Sequence, residues 1–176
     1  MKKTIKKNCR RPFPWFNLPI LVFLRKGHKY SITKKIMFTD SAIYHFDDND
    51  QFDMNKLFGF SSWYQMTNSF RFGWRPNADL TKIEVTGFEH YNGVITPIIS
   101  LFETNINKWY TYTIEYDGIL NQVKYTVVSD DDSSIKNIAV KSIVLKHNFN
   151  IGYKLYLYFG GNKKAPHDII IEHIKE

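Results

Sequence analysis

Arg71 and Arg75 lie four residues apart in the stretch Ser69-Phe-Arg-Phe-Gly-Trp-Arg75. On a strand that spacing puts both guanidinium groups on one face, about 13 Å apart at the usual rise per residue. A guanidinium is a planar fork of donors that matches a carboxylate or another oxyanion. The pair therefore reads as a binding surface for an acidic sugar or a phosphate, against the alternative of two solvent-facing arginines flanking a core tryptophan. Near the C-terminus, Tyr156 and Tyr158 alternate with Leu155, Leu157 and Phe159. Tyrosine rings offer a flat apolar face with a polar hydroxyl, suited to stacking on sugar rings. The alternative is that this face packs on a second sheet, and periodicity does not separate the two. Arg71, Arg75, Tyr156 and Tyr158 are the candidate ligand-binding residues.

Other chemistries find little support. The six histidines include no H-x-H or H-E-x-x-H pair, so zinc spacing is absent. Asp47, Asp48, Asp50 and Asp53 are hard oxygen donors close together, of the type that binds calcium. They lack the glycine and the closing glutamate of an EF-hand loop, and a solvated acidic loop is the expectation, with no cofactor. No G-x-S-x-G elbow occurs, and Cys9 has no evident base. Gly160-Gly161-Asn162-Lys163-Lys164 lacks phosphate-loop spacing and reads as a turn. Glu84, Glu89, Glu103, Glu115 and Glu172 are scattered along the chain, so paired-carboxylate glycosidase chemistry is not apparent.

Strands must position these residues. Ser69 to Arg75 alternates cleanly, with Phe70, Phe72 and Trp74 on one side and Ser69, Arg71, Gly73 and Arg75 on the other. Tyr153 to Phe159 reads the same way, with Tyr153, Leu155, Leu157 and Phe159 toward the core. Gly160-Gly161-Asn162 stops that strand, and Asp168 to Ile174 resumes as a β-branched one. Upstream, strands are expected over 82–91, 94–102, 109–116, 123–128 and 138–145, with a hairpin over 30–38 and a strand or bulge over 57–64. Asn92-Gly93 and Asp117-Gly118 are hairpin turn signals, and Pro97 marks an edge or bulge. No amphipathic helix of convincing length appears. The pattern predicts an all-β fold, an antiparallel two-sheet sandwich or barrel.

The chain of 176 residues is 43 % hydrophobic and 16 % aromatic, which argues for one folded domain. Of the net charge of +7, Lys2, Lys3, Lys6, Lys7, Arg10 and Arg11 carry most, leaving the remainder close to neutral. This predicts a basic, proline-interrupted arm over 1–26 ahead of a sandwich over 27–176, not a nucleic-acid-binding face. The arm's apolar run, Pro12 to Leu24, is too short for a membrane span of about 20 residues. It resembles an export signal but is broken by prolines and followed by Arg25-Lys26. The competing expectation is an extended arm that docks on a protein partner, with Ile20 to Leu24 adding an edge strand. The single cysteine rules out an internal disulfide.

From Ser69-Phe-Arg-Phe-Gly-Trp through Trp109-Tyr-Thr-Tyr-Thr-Ile to Phe159-Gly-Gly and Ile169-Ile-Ile, the strand order and aromatic rhythm resemble the concanavalin A-like lectin/glucanase jelly roll. The resemblance covers roughly 27–174. It implies two curved antiparallel sheets with a concave face of the kind that often binds carbohydrate. Sandwich polysaccharide lyases carry an R-x-E-x-R pattern of the same spacing as Arg71 and Arg75. Here Gly73 replaces the acid, and their Y-x-K-x-G motif is not matched at Tyr153-Lys154-Leu155. The expected function is non-catalytic binding of a glycan, acidic given the arginines. The alternatives are a structural protein of a virion or surface assembly, and an unrecognised polysaccharide-active enzyme.

Overall fold

A computed structural model describes residues 1–12, 20–24, 27–63, 68–91, 93–95, 99–120, 122–132, 136–142 and 151–174. Its strands, in chain order, are β1 (Lys2–Ile5), β2 (Leu21–Val22), β3 (Lys29–Phe38), β4 (Asn55–Ser62), β5 (Ser69–Pro76), β6 (Lys82–Tyr91), β7 (Val94–Ile95), β8 (Ile99–Asn105), β9 (Trp109–Asp117), β10 (Gln122–Ser129), β11 (Lys136–Ser142), β12 (Gly152–Leu155) and β13 (Ile169–Ile174). Two short 3-10 turns, Asp40–Ala42 and Asn49–Phe52, are the helical elements among the described residues. The strands form two antiparallel sheets. The first runs β1-β13-β3-β9-β10-β11; the second runs β2-β12-β4-β5-β6-β7, with β8 also on β6.

Period-two patterning explains the layering. In β9 the residues Tyr110, Tyr112, Ile114 and Tyr116 are buried and alternate with half-buried ones. Phe70, Phe72 and Trp74 of β5 face them from the second sheet, all at most 2 % exposed. Phe72 lies edge-on to Tyr112 and Tyr125, with centroids 5.5 and 5.3 Å apart, a geometry that aligns ring edges with ring faces. The Tyr125 hydroxyl crosses the core to donate to Glu89 Oε1 at 2.9 Å, which gives that buried carboxylate a partner. The antiparallel two-sheet sandwich expected from the sequence is the fold observed.

Several local expectations are corrected. The hairpin expected over 30–38 is one continuous strand, β3, paired with β9 from Lys29 to Met37; no turn residue interrupts it. The basic arm expected ahead of the domain is in part built into it. Lys2 to Ile5 pairs with β13, Ile5 is fully buried, and Val22 and Leu24 join the core. The lysines of β1 obscured a strand whose pairing partner is more than 160 residues away. Ile20 to Leu24 does supply an edge strand, on β12. The strand expected over 153–159 ends at Leu155, and its faces are the reverse of those expected, as described below. Phe13 to Pro19, Arg25, Lys26, Asn92 and Pro97 lie outside the described residues, as do 143–145 of the strand expected over 138–145.

Candidate functional site on the outer face of the second sheet

Cross-strand register defines the outer face of the second sheet in rows. One row reads Leu21, Tyr153, Ser61, Ser69, His90 and Ile95 across six strands. The next reads Leu155, Gly59, Arg71 and Phe88. A third holds Lys56, Gly73 and Thr86, with Tyr158 bridged to Lys56. Residues directly opposite one another share a face, so these side chains meet on the side away from the core. Small residues, Gly59, Ser61, Ser69, Gly73 and Thr86, form the floor. A Cβ at Gly73 would stand 2.7 Å from Thr86 Oγ1, so the floor is low because glycine is there. Cations rise from it, with tyrosines on one side.

Arg71 is 6 % exposed, and its Nε is buried with no hydrogen-bond partner. Burial pulls the guanidinium down to about 10, and the phenols of Tyr153, Tyr125 and Tyr158 oppose that shift. It remains a cation at neutral pH. Lys56 reaches the carbonyls of Met54 (2.7 Å) and Gly160 (3.2 Å) and lies 4.6 Å from the centroid of the Phe88 ring. Burial, and then the charge of Arg71, bring the Lys56 ammonium down to about 8. His90, 6 % exposed, shares a hydrogen bond between Nδ1 and Ser69 Oγ at 3.2 Å. Burial, then Arg71 and Lys56, lower its pKa, which favours the neutral imidazole. Among the described residues no carboxylate forms an ion pair with Arg71 or Lys56. A surface that gathers desolvated cations without counter-charge favours an anionic ligand.

Of the four residues singled out from the sequence, Arg71 and Tyr158 fall on this surface. Tyr158 stands beside Lys56 through a reciprocal pair of backbone hydrogen bonds (2.8 and 2.9 Å), and Arg10 and Arg11 lie 5.9 and 5.8 Å from its ring centroid. Arg75 shares the strand face but is engaged elsewhere. Its Nε donates to Glu84 Oε2 and its Nη1 to the Phe52 carbonyl, both at 2.7 Å. Tyr156 is set apart, beside Tyr30. The reason lies in β12. Tyr153 and Leu155, expected to face the core, lie opposite Ser61 and Gly59 on the outer face, while Lys154 lies opposite core residue Phe60. The chain then leaves the strand, and Phe159 enters the core against Tyr44, so the phase changes between Leu155 and Phe159.

Lys56, Ser69, His90 and Tyr153 were not identified as a group from the sequence. Lys56 owes its place to a bulge: the register of β4 slips between Lys56 and Phe58, which puts Leu57 in the core and turns Lys56 outward. The run of small residues across β4 and β5 is the one sequence signal that marked the groove.

The acidic loop takes a different role. Asp48 forms an ion pair with Lys163, Asp50 accepts from Asn162 Nδ2 and Asp53 from the Asn162 amide, each of the last two at 3.2 Å. Asp47 meets His45 at 3.1 Å. The loop thus ties down the glycine turn after β12, where Gly160 has φ +81°, a conformation that costs glycine little. Among the described residues no three histidine, cysteine or acidic side chains converge as a metal site would require. No helix among them is long and apolar enough to cross a membrane.

No family model matches the sequence, and no curated protein matches it. Solved structures do. An alginate lyase from Klebsiella pneumoniae superposes with a TM-score of 0.50 at 7 % identity, covering 81 % of this chain and 56 % of its own, so this chain spans little more than half the lyase's length. Peanut lectin in complex with a 9mer peptide gives 0.49 at 8 % identity, over 90 % of this chain and 79 % of the lectin. Lectin II from Ulex europaeus gives 0.47 at 7 % identity, over 98 % and 89 %. The chain is a two-sheet antiparallel β-sandwich, and its resemblance to the concanavalin A-like jelly rolls is one of fold. At such identities the likeness concerns the fold alone.

Proposed function

We propose that the protein binds an acidic glycan, without chemistry, on the outer face of the second sheet. The observation that supports this reading is Arg71, a buried guanidinium with an orphaned Nε and, among the described residues, no acidic partner, in a groove floored by small residues. Arg71 and Lys56 hold a carboxylate or sulfate of the glycan, and Tyr153 and Tyr158 stack against its rings. Leu21 and Ile95, both exposed, form apolar rims at the two ends of one row. The test is binding of uronate-containing and sulfated oligosaccharides to the full chain by calorimetry, with neutral glycans as comparison. Binding that favours the acidic sugars and is lost in Arg71→Met supports the reading; equal binding of neutral sugars, or none of either, rejects it.

A second reading is β-elimination on a uronate. It draws on the neutral His90 imidazole and the Arg71 guanidinium in adjacent rows of one face, with the Tyr153 phenol in the row of His90. The lyase among the fold neighbours is an alginate lyase by name. Appearance of an unsaturated, ultraviolet-absorbing product on incubation with polyuronates, abolished by His90→Asn, would favour catalysis over binding alone.

A further inference from the structure

A second group of cations, half-buried, faces inward from the two sheets, separate from the groove just described. Alternation along β3 turns Ile32, Lys34, Ile36 and Phe38 toward the other sheet, and Lys34 is the one charged residue among these four. Its Nζ lies 4.8 Å from the centroid of the Phe58 ring, a cation–π contact that offsets part of its desolvation. Three further groups face the same space. Lys3 lies opposite Ile171 and His173 opposite Ile36 on the first sheet; Lys154 lies opposite Phe60 on the second. His173 Nε2 is buried with no hydrogen-bond partner.

The neighbours along the same strands behave differently. Lys2, beside Lys3, pairs with Glu172 at 3.3 Å, and Lys35, beside Lys34, pairs with Asp130. Those residues point to the outer face. Among the described residues no carboxylate pairs with Lys3, Lys34 or Lys154. Burial, and then the charges of Lys154 and Lys3, bring Lys34 down to about 8; burial and then Lys34 lower His173. Like charges gathered in a low-dielectric space repel strongly, and a counter-ion is the direct way to relieve them.

We propose that Lys3, Lys34, Lys154 and His173 form an oxyanion site between the sheets, taking one sulfate or phosphate group, free or as a monoester. The donors come from four strands and both sheets, and the cations are lysines. Lysines act as point charges converging from different directions, which suits a tetrahedral group; a planar carboxylate is better matched by one arginine fork. The charge of the cluster favours a dianion over a monoanion. The site stands independently of the glycan reading, because none of its residues lies on the outer face.

The test is thermal unfolding of the full chain at neutral pH in sodium sulfate, sodium phosphate and sodium chloride at matched ionic strength. A sulfated monosaccharide and its unsulfated parent are added in separate arms. A site-bound anion raises the melting temperature saturably in sulfate or phosphate and not in chloride. Lys34→Met weakens the apparent affinity read from the saturable part by roughly tenfold or more, as expected on losing a charged donor. Lys154→Met, on β12 of the other sheet, serves if Lys34→Met does not fold. Arg71→Met keeps the response, so failure of this site and failure of the glycan site are told apart. A response to inorganic anions alone identifies a free ion; one to the sulfated sugar and not its parent identifies a pendant group. Sulfate also stabilises proteins generally by exclusion from their surface. A response that does not saturate, or that is equal in the lysine variants, is that general effect and overturns the proposal.

Discussion

The outer faces of the two sheets are built on opposite principles. On the first sheet, charged residues alternate with the core and meet partners across the strands. Lys29 pairs with Asp117 at 2.8 Å, Lys124 with Glu115 at 3.2 Å and Lys35 with Asp130, while Thr33 shares a hydrogen bond with Thr113 at 3.0 Å. Those residues are half-buried or exposed, and their charges balance. On the second sheet, β5 and β6 are buried on both faces over most of their length. Arg71 and Lys56 are drawn out of water there, beside His90, with no acid among the described residues to balance them. Paired, solvated charges cost little and contribute little. Unpaired, desolvated charges cost stability, and persist where a ligand restores the balance. The difference is the ground on which the proposed binding site is placed on the second sheet.

The sharpest way to break this comparison is to remove one cation from each face. Arg71→Met should cost roughly 1.5–3 kcal/mol of binding to an acidic oligosaccharide, the usual worth of a charged hydrogen bond. Its denaturation midpoint should stay level or rise, since a buried unpaired charge is replaced by an apolar chain. Lys124→Met on the other face should leave calorimetric binding unchanged. A destabilised Arg71→Met would mean the guanidinium is a structural bridge, and the contrast between faces would fail.

Filling the groove tests its shape. Gly73→Val places methyl groups against Thr86 and Phe88. Overpacking of this kind costs about 1–3 kcal/mol, and binding should vanish with the open floor. Thr33→Val, the analogous change on the first sheet, should cost far less in the same denaturant titration.

The pH dependence follows from the lowered lysines. Lys34 and Lys56 lose their protons near pH 8 in the folded chain but near 10.5 once unfolded. The unfolded chain therefore binds more protons between those values, and stability rises with pH across that window. The gain is capped near pH 10, where tyrosines ionise in the unfolded chain while buried Tyr30 is held up to about 12. Glycan binding should move the opposite way and weaken above pH 8 as Lys56 is neutralised. Melting curves in chloride from pH 7 to 10 for the wild type and Lys56→Met check the sign; a wild-type stability that falls through pH 8–10 contradicts it.

The smallest effect is expected at the Thr33–Thr113 pair. A double-mutant cycle to valine should return a coupling of about 0.2–1 kcal/mol, and no change in ligand binding. A larger coupling would show that the first sheet's outer face also has a specific design.

Much of the scaffold was legible along the chain. The strand over 82–91 coincides with β6, and those expected over 69–75, 109–116 and 123–128 match β5, β9 and β10 to within a residue at each end. The reason is that Phe-x-Phe-x-Trp and Tyr-x-Tyr-x-Ile repeat with period two between turn residues. The same logic placed Arg71 opposite the core. It failed at β1, where lysines masked a paired strand, and at β12, where the faces are reversed.

Sequence by itself thus determined the class of fold, most central strands and one arginine of the groove, because those depend on local periodicity and turn chemistry. Tertiary structure decided which cations remain unpaired, because partners such as Glu84 for Arg75 and Asp130 for Lys35 arrive from other strands. It also decided the sign of each alternation. Period two says that neighbours point apart, but not which one points inward, and a single extra residue at Leu57 or the end of a strand at Leu155 inverts the answer. Lys56 and Tyr153 reached the groove by those two local departures, which register with distant strands alone could fix.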